Sequence, residues 1–146
     1  MEQRTPTVTA LAGPNGAGKS TAAPILLPEI LGVMEFVNAD VIARGLSAFQ
    51  PEKVAIEAGR IMLKRLGELA HERMDFAFET TLASKTFAPW IAKLRDSGYR
   101  FQLLYLWLPN SELAVKRVLD RVRQGEVSMG QRCRKIATHL RSGGKG

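Results

Sequence analysis

Short apolar runs alternate with longer segments of helical periodicity through most of the chain. The apolar runs predict strands at 7–12, 35–38, 75–80 and 101–108. Helical spacing and helix-breaking residues predict helices at about 18–27, 51–73, 86–96 and 112–124, with a loop through Asp40 and Gly45 before Pro51. Strands that alternate with helices usually form a parallel sheet covered by helices. The pattern therefore predicts an α/β fold: a three-layer α/β/α domain with a mainly parallel sheet.

Two of these elements carry further information. The helix predicted over 51–73 has an apolar stripe at spacings of three and four, which indicates core packing and comprises Val54, Ala58, Ile61, Met62, Leu66 and Leu69. The strand predicted over 101–108 is almost continuously apolar, which is typical of a strand covered on both faces. We therefore expect this strand in the middle of the sheet.

Length and charge divide the chain unevenly. Its 146 residues, 45% of them apolar, suit one globular domain. The net charge of +7 falls entirely within 116–146, because residues 1–115 hold equal numbers of acidic and basic side chains. We expect a P-loop kinase-like domain over 1–125 and a basic C-terminal tail, or incomplete lid region, over 126–146. The basic end is compatible with nucleic acid, with a phosphorylated ligand or with plain solvation.

Several classes of protein do not fit the composition. Cys133 is the one cysteine, so an intramolecular disulfide is excluded. It and the two histidines, His71 and His139, are too scattered for a structural zinc site. No apolar run approaches a membrane span, and residues 1–7 lack the apolar stretch of a signal peptide. The expected location is the cytoplasm, without membrane attachment.

The most specific motif follows the first strand. Its residues match G-x-x-x-x-G-K-S/T in full and are Gly13, Pro14, Asn15, Gly16, Ala17, Gly18, Lys19, Ser20 and Thr21. Glycines let the backbone wrap around a phosphate, and the following helix adds the positive end of its dipole. Lys19 reaches the β- and γ-phosphates and the Ser20 hydroxyl coordinates Mg²⁺. The loop predicts a nucleoside triphosphate site in a P-loop NTPase or kinase-like domain.

Two carboxylates follow strands that should end on the same rim as this loop. Asp40 comes after the second strand, and Glu79 lies near the end of the third. Phosphoryl transfer to a hydroxyl needs a carboxylate that orients the nucleophile and accepts its proton. Asp40 is the preferred base, and Glu79 is the alternative, either near the metal ion or against the acceptor. Thr81 and Ser84 are candidates for binding acceptor hydroxyls or for capping the next helix.

Together these residues resemble the zeta toxin family of P-loop kinases. The resemblance covers about 7–125 and rests on the phosphate loop, on 37–47 with its Asn-Ala-Asp block, and on 78–84 with its Glu-Thr-Thr block. It implies an ATP-dependent kinase with Mg²⁺ and, in toxin members, an antitoxin partner. Those members phosphorylate a hydroxyl of a UDP-amino sugar, UDP-N-acetylglucosamine.

The resemblance also implies roles for individual residues. Lys19 and Ser20 match the loop lysine and hydroxyl, Asp40 the base, and Glu79 and Thr81 the acceptor-binding pair. The toxins place an arginine shortly after that pair, near Ala83 of this chain. Family arginines in the last helices clamp the transferred phosphate, and the positions that could match them are Arg117 or Arg121, and Arg132 or Arg134.

Two other function classes stay open at this point. A transport-type ATPase shares the loop, but such proteins need a longer chain, a Leu-Ser-Gly-Gly-type segment and an acidic strand end, and none is present. A non-catalytic nucleotide- or nucleic-acid-binding module is compatible with the basic tail. Because no aromatic residues interleave its basic ones, nucleic acid is not the expected partner. Acceptor-dependent release of ADP distinguishes a kinase from both alternatives.

Overall fold

The computed structural model describes residues 4–14, 17–82, 85–107 and 110–126. The strands are β1 (Thr7–Ala12), β2 (Glu35–Val37), β3 (Phe76–Thr80) and β4 (Arg100–Tyr105). The helices are α1 (Lys19–Ile25), α2 (Ala39–Leu46), α3 (Ala55–His71), α4 (Phe87–Asp96) and α5 (Ser111–Arg123). A π-helical turn, Leu26–Leu31, extends α1, and a 3-10 turn, Pro51–Val54, precedes α3.

All described strands are parallel and lie in the order β2-β3-β1-β4. Every residue of β1 is buried, as expected for an inner strand of a covered parallel sheet. Because parallel strands end on one edge, the residues after β1, β2 and β3 share a rim. The order puts the end of β3 between the phosphate loop, which follows β1, and Asn38, which follows β2.

Helices cover both faces of the sheet, which confirms the predicted α/β fold in three layers. On one face α1, the π turn and α5 pack through buried side chains that include Leu26, Leu31, Ala114 and Val118. On the other face α3 and α4 pack through a second cluster, in which Met62, Leu66, Leu69 and Leu94 contact the strands. The helix stripe predicted as core is thus confirmed at its central positions, whereas Ile61 is 38% exposed.

An aromatic cluster fixes α4 to β3 just below the rim. Phe78 stacks on Phe87 with ring centroids 4.9 Å apart, and Trp90 meets the edge of Phe78 at 5.7 Å. Phe76 contacts Tyr99 at 5.8 Å. Each such pair adds about 0.5–1.5 kcal/mol beyond the burial of its apolar area. The strand that carries Glu79 is therefore firmly held.

The loop predicted through Asp40 and Gly45 is wrong, because α2 occupies this segment. The Asn38 side chain accepts hydrogen bonds from the backbone N–H groups of Asp40 and Val41, at 2.8 and 3.4 Å, and so caps the helix. Ala43 is the buried residue of α2. With eight residues, α2 is shorter than the stretch of about 11–18 residues over which helical periodicity is read.

Two further expectations differ from the structure. The first helix does not end near Pro28 but continues to Leu31 and stops at Gly32, whose φ is +67°. Its π turn buries Leu26, Leu27 and Leu31, and this burial offsets the hydrogen bond that proline cannot donate. The strand expected in the middle of the sheet, β4, is an edge strand within the described part of the chain.

The exposure pattern of β4 shows why its sequence was misleading. Leu104 and Leu106 are buried, but Leu103, Tyr105 and Trp107 are 46%, 51% and 65% exposed. Apolar composition alone does not distinguish a covered face from an exposed one. Most of the predicted basic tail lies outside the described residues.

Candidate active site

The phosphate loop leaves β1 at Gly13 and enters α1 at Lys19. Gly13 has a φ of +150°, and a Cβ atom there would collide with the carbonyl oxygen of Leu106. Gly18 has a φ of +83° and precedes the first residue of α1. Both backbone conformations favour glycine, so these two motif positions are explained by geometry. Asn15 and Gly16 lie outside the described residues.

Lys19 lies inside the curve of this loop. Its side chain is 5% exposed, and its Nζ donates hydrogen bonds to the carbonyl oxygens of Gly13 and Pro14 at 2.5 and 3.1 Å. An ammonium group there is a suitable cation for phosphate oxygens. Ser20 follows on the first turn of α1 and is exposed, so its hydroxyl is accessible to a metal ion.

Glu79 links the loop to the neighbouring strand end. Its Oε1 lies 3.9 Å from Nζ of Lys19, and its Oε2 accepts a hydrogen bond of 2.7 Å from Nδ2 of Asn38. Burial raises the pKa of Glu79 above its ordinary value, and the negative charge of Asp40 adds to this. Lys19 and Arg44 act in the opposite direction. The site therefore holds a partly desolvated carboxylate beside the loop cation.

A cavity of about 410 Å³ opens beside Glu79. Asp40, Thr81 and Arg60 supply polar groups to its lining, whereas its other side is apolar and includes Ile56, Met62, Leu63 and Phe87. Cavities of this size with a few convergent polar groups are typical small-molecule sites. A second cavity of about 400 Å³ lies next to Ser20, and Asn38 lines both.

The structure thus brings together four of the side chains selected from the sequence. Lys19 and Glu79 are adjacent, and Asp40, Glu79 and Thr81 line the same cavity. Ser84 lies outside the described residues. Within the described chain, no group of three or more His, Cys, Asp or Glu side chains is suited to hold a metal ion. A Mg²⁺ site built on Ser20 would therefore depend on nucleotide phosphates for its other ligands, which is usual for Mg²⁺.

The C-terminal arginines lie elsewhere. Arg117 and Arg121 line a small groove of about 130 Å³ beside β4, together with Tyr105 and Trp107. Arg121 is 68% exposed, and its Nε lies 3.9 Å from Glu126. Neither arginine lines the cavity beside Glu79. Arg132 and Arg134 lie outside the described residues. The clamp role of Arg121 stays a prediction.

Sequence reasoning missed several residues of this site. The sequence marks Asn38 only as part of the Asn-Ala-Asp block, whereas in the structure its side chain joins α2 to Glu79. Arg60 lies between Ile56 and Leu63 on α3, outside the core stripe, and all three line the cavity. The spacing of Ile56 and Leu63 by seven residues, two helical turns, was the available signal.

No membrane-spanning helix occurs among the described residues, since none combines the necessary length with sufficient apolar character. Curated proteins contain no significant match to the chain. The family model described as Zeta toxin matches residues 1–142.

Solved structures give a second comparison. A candidate kinase from Chloroflexus aurantiacus aligns with a TM-score of 0.59 and 15% identity, over 84% of this chain and 69% of that one. A structure from the PezAT chromosomal toxin-antitoxin system of Streptococcus pneumoniae aligns with a TM-score of 0.62 and 21% identity, over 85% of this chain and 55% of that one.

A chain of the Pnkp1/Rnl/Hen1 RNA repair complex aligns with a TM-score of 0.53 and 21% identity, over 84% of this chain and 39% of that one. At these identities the likeness shows the fold alone, and it confirms the predicted α/β class. The match of the family model over almost the whole length goes further: the chain belongs to the Zeta toxin family.

Proposed function

We propose that the protein is an ATP-dependent phosphotransferase that transfers the γ-phosphate to a hydroxyl of a small molecule. The observation that carries this proposal is the position of Glu79. Its carboxylate lies 3.9 Å from the loop cation Lys19 and also lines the cavity of about 410 Å³. A phosphate site and an acceptor-sized cavity thus adjoin, and direct transfer between two bound molecules requires this arrangement.

The loop residues bind the donor in this proposal. The described part of the loop, with Lys19 and the start of α1, holds the triphosphate, and Ser20 ligates the accompanying Mg²⁺. ATP with Mg²⁺ supplies an electrophilic phosphoryl group when bound. Lys19 must exchange its hydrogen bonds with Gly13 and Pro14 for phosphate oxygens. Asn15, Gly16, Ala17 and Thr21 complete the loop motif.

The carboxylates act on the acceptor. Asp40 orients the acceptor hydroxyl and takes its proton. This role suits its position, because Asp40 lies on the first turn of α2 and lines the cavity. Glu79 and Thr81, with Ser84 as a further candidate, bind the acceptor. Arg121 is proposed to neutralise charge on the transferred phosphate, which requires α5 to approach the loop from its present position beside β4.

The first acceptor to test is UDP-N-acetylglucosamine, a UDP-amino sugar. Its support is membership of the Zeta toxin family together with the polar groups that line the cavity. The toxins have an arginine near the position of Ala83, and this chain does not. Other compounds that carry a hydroxyl group are therefore tested beside the UDP-amino sugar. The likeness to a structure from a toxin-antitoxin system supports an antitoxin protein as a partner.

An assay of purified protein with labelled ATP, Mg²⁺ and a panel of acceptors tests the proposal. The panel includes UDP-N-acetylglucosamine, the free amino sugar, UDP, and unrelated sugars and nucleosides. We expect ADP release and label transfer that depend on one acceptor class and that the Lys19→Ala variant abolishes. Hydrolysis independent of every acceptor would indicate an ATPase. Salt-sensitive oligonucleotide binding without turnover would indicate a nucleic-acid-binding module.

A further inference from the structure

The Asn38 side chain makes hydrogen bonds in two directions. Its Oδ1 accepts from the backbone N–H groups of Asp40 and Val41, at 2.8 and 3.4 Å. Its Nδ2 donates to Oε2 of Glu79 at 2.7 Å. The side chain belongs to a residue that is 7% exposed, at the junction of β2 and α2. One amide therefore connects the first turn of α2 to the end of β3.

Asn110 provides an internal comparison, because it caps α5 with the same geometry. Its Oδ1 accepts from the N–H groups of Glu112 and Leu113 at 2.9 and 3.3 Å, and its φ and ψ are −122° and 116°. The corresponding angles of Asn38 are −134° and 119°. Asn110 is exposed, and no hydrogen bond joins its amide nitrogen to a carboxylate of the described residues. Helix capping alone therefore requires neither burial nor the link to Glu79.

We propose that Asn38 is a positioning residue that sets the separation and orientation of Asp40 and Glu79. The inference rests on the proposed function, in which Asp40 takes a proton from the acceptor and Glu79 binds it. The cap fixes the first turn of α2, which carries Asp40, and the amide nitrogen ties that turn to Glu79. Glu79 is held on its other side near Lys19, so the amide completes a connection from the loop to α2.

The choice of an amide has a chemical reason. Aspartate and threonine also cap helices, but aspartate has no donor at neutral pH, and threonine has one polar side-chain atom where asparagine uses separate atoms for the cap and for Glu79. The charged groups around Glu79 are Lys19 from α1, Asp40 and Arg44 from α2, and Arg60, which lines the same cavity from α3. An aspartate at 38 would add a carboxylate in contact with Glu79, and one of the two would tend to hold a proton.

The test compares Asn38→Asp and Asn38→Thr with Asn110→Asp and Asn110→Thr. All four variants keep a capping oxygen, and only the first pair removes the amide nitrogen that donates to Glu79. We expect both Asn38 variants to lower kcat/KM for the acceptor at least tenfold while the Kd of ATP changes less than threefold. The acidic limb of the pH–rate profile should move to higher pH in Asn38→Asp. The Asn110 variants should stay within twofold of the wild type in all three measurements.

A second measurement does not depend on catalysis. Urea unfolding of the nucleotide-free wild type, Asn38→Thr, Glu79→Ala and the double variant should show coupling, with the double variant losing less stability than the two single losses together. Additive losses, or Asn38 variants with kinetics like those of the Asn110 variants, would overturn the inference. If the wild type transfers no phosphate, the proposed function fails, and the presence or absence of coupling alone decides whether Asn38 joins the two carboxylate-bearing segments.

Discussion

The rim of the sheet has two halves with different character. The half that follows β1, β2 and β3 holds polar side chains that are buried and bonded to one another, with Lys19, Asn38 and Glu79 all largely covered. The half that follows β4 leads into α5, whose arginines are exposed and make ion pairs no closer than 3.9 Å. Exposed ion pairs of this kind contribute about 0–1 kcal/mol. The exposed basic side chains thus follow β4, whereas the buried polar side chains that bond to one another follow β1, β2 and β3.

Replacement of Lys19 should give the largest loss of turnover. A small loss would contradict the contrast between the two halves of the rim. Lys19→Ala removes the cation from the phosphate loop, and loss of such preorganised charge typically costs about 10²–10³ in rate, or ~3–4 kcal/mol. We expect at least a 100-fold loss of turnover in a folded protein. Steady-state kinetics, nucleotide titration and circular dichroism measure this. Lys93→Ala, an exposed change on α4, is the control. A folded variant with unaltered nucleotide affinity and turnover would refute the assignment of this segment as a phosphate-binding loop.

Asp40→Asn separates nucleotide binding from transfer. The amide preserves shape but does not accept the acceptor proton, and general bases contribute about 10²–10⁴ in rate. We therefore expect unchanged ATP binding and a loss of transfer in that range, measured with labelled ATP and the best acceptor. Asp96→Asn, at the exposed end of α4, controls for a generic loss of negative charge. Transfer within a few-fold of the wild type would make Asp40 a structural residue and Glu79 the candidate base.

Arg121→Ala tests whether the arginine half of the rim takes part at all. A clamp on the transferred phosphate should make kcat at saturating ATP fall by about tenfold, or ~1.4 kcal/mol. Stability should hardly change, because the side chain is 68% exposed. Arg117→Ala and Arg123→Ala extend the series, and Arg95→Ala on α4 is the control. Full activity in all three α5 variants would assign their charge to a solvated surface and move the search to Arg132 and Arg134.

The smallest effect concerns the pH dependence of stability. Because burial raises the pKa of Glu79, the folded protein binds its proton more readily than the unfolded chain does. The resulting stability is present below the unfolded value of about 4.5 and is lost as pH rises through the raised pKa. Glu79→Gln lacks this dependence. We expect the free energy of unfolding of this variant, measured relative to that of the wild type, to increase as the pH rises from 4 to 7. Glu57→Gln, an exposed change on α3, is the control and should show no such increase. An unchanged difference across that range would contradict the effect of burial.

The parts that the sequence predicted well are those that local chemistry determines. Gly13, Gly18 and Lys19 occupy a motif in which backbone angles and charge leave few alternatives. The strand ends followed from parallel connectivity, which correctly brought Asp40 and Glu79 to one cavity. The features that the sequence did not predict depend on contacts between residues far apart in the chain. The bond from Asn38 to Glu79 spans 41 positions along the chain, and no local pattern reveals it.

The helix that contains Ile56 and Leu63 shows the same division. Its core stripe was predictable because a buried face repeats every three or four residues. Its second apolar pair, Ile56 and Leu63, is 76% and 45% exposed. The role of this pair in lining the cavity is visible only once α2, β3 and α4 are placed around it. For β4, a covered strand and an edge strand have the same apolar composition, so the sequence could not assign its position.

The close approach of Gly13 to Leu106 has a mechanical consequence for the two halves of the rim. The glycine packs against the Leu106 carbonyl without room for a methyl group, and the Leu106 N–H donates to Ala12 at 2.8 Å. The loop therefore cannot move towards β4 without displacing the strand end from which the chain runs on to α5. A ligand that shifts the loop towards β4 would therefore also shift the end of this strand, through a contact between backbone atoms.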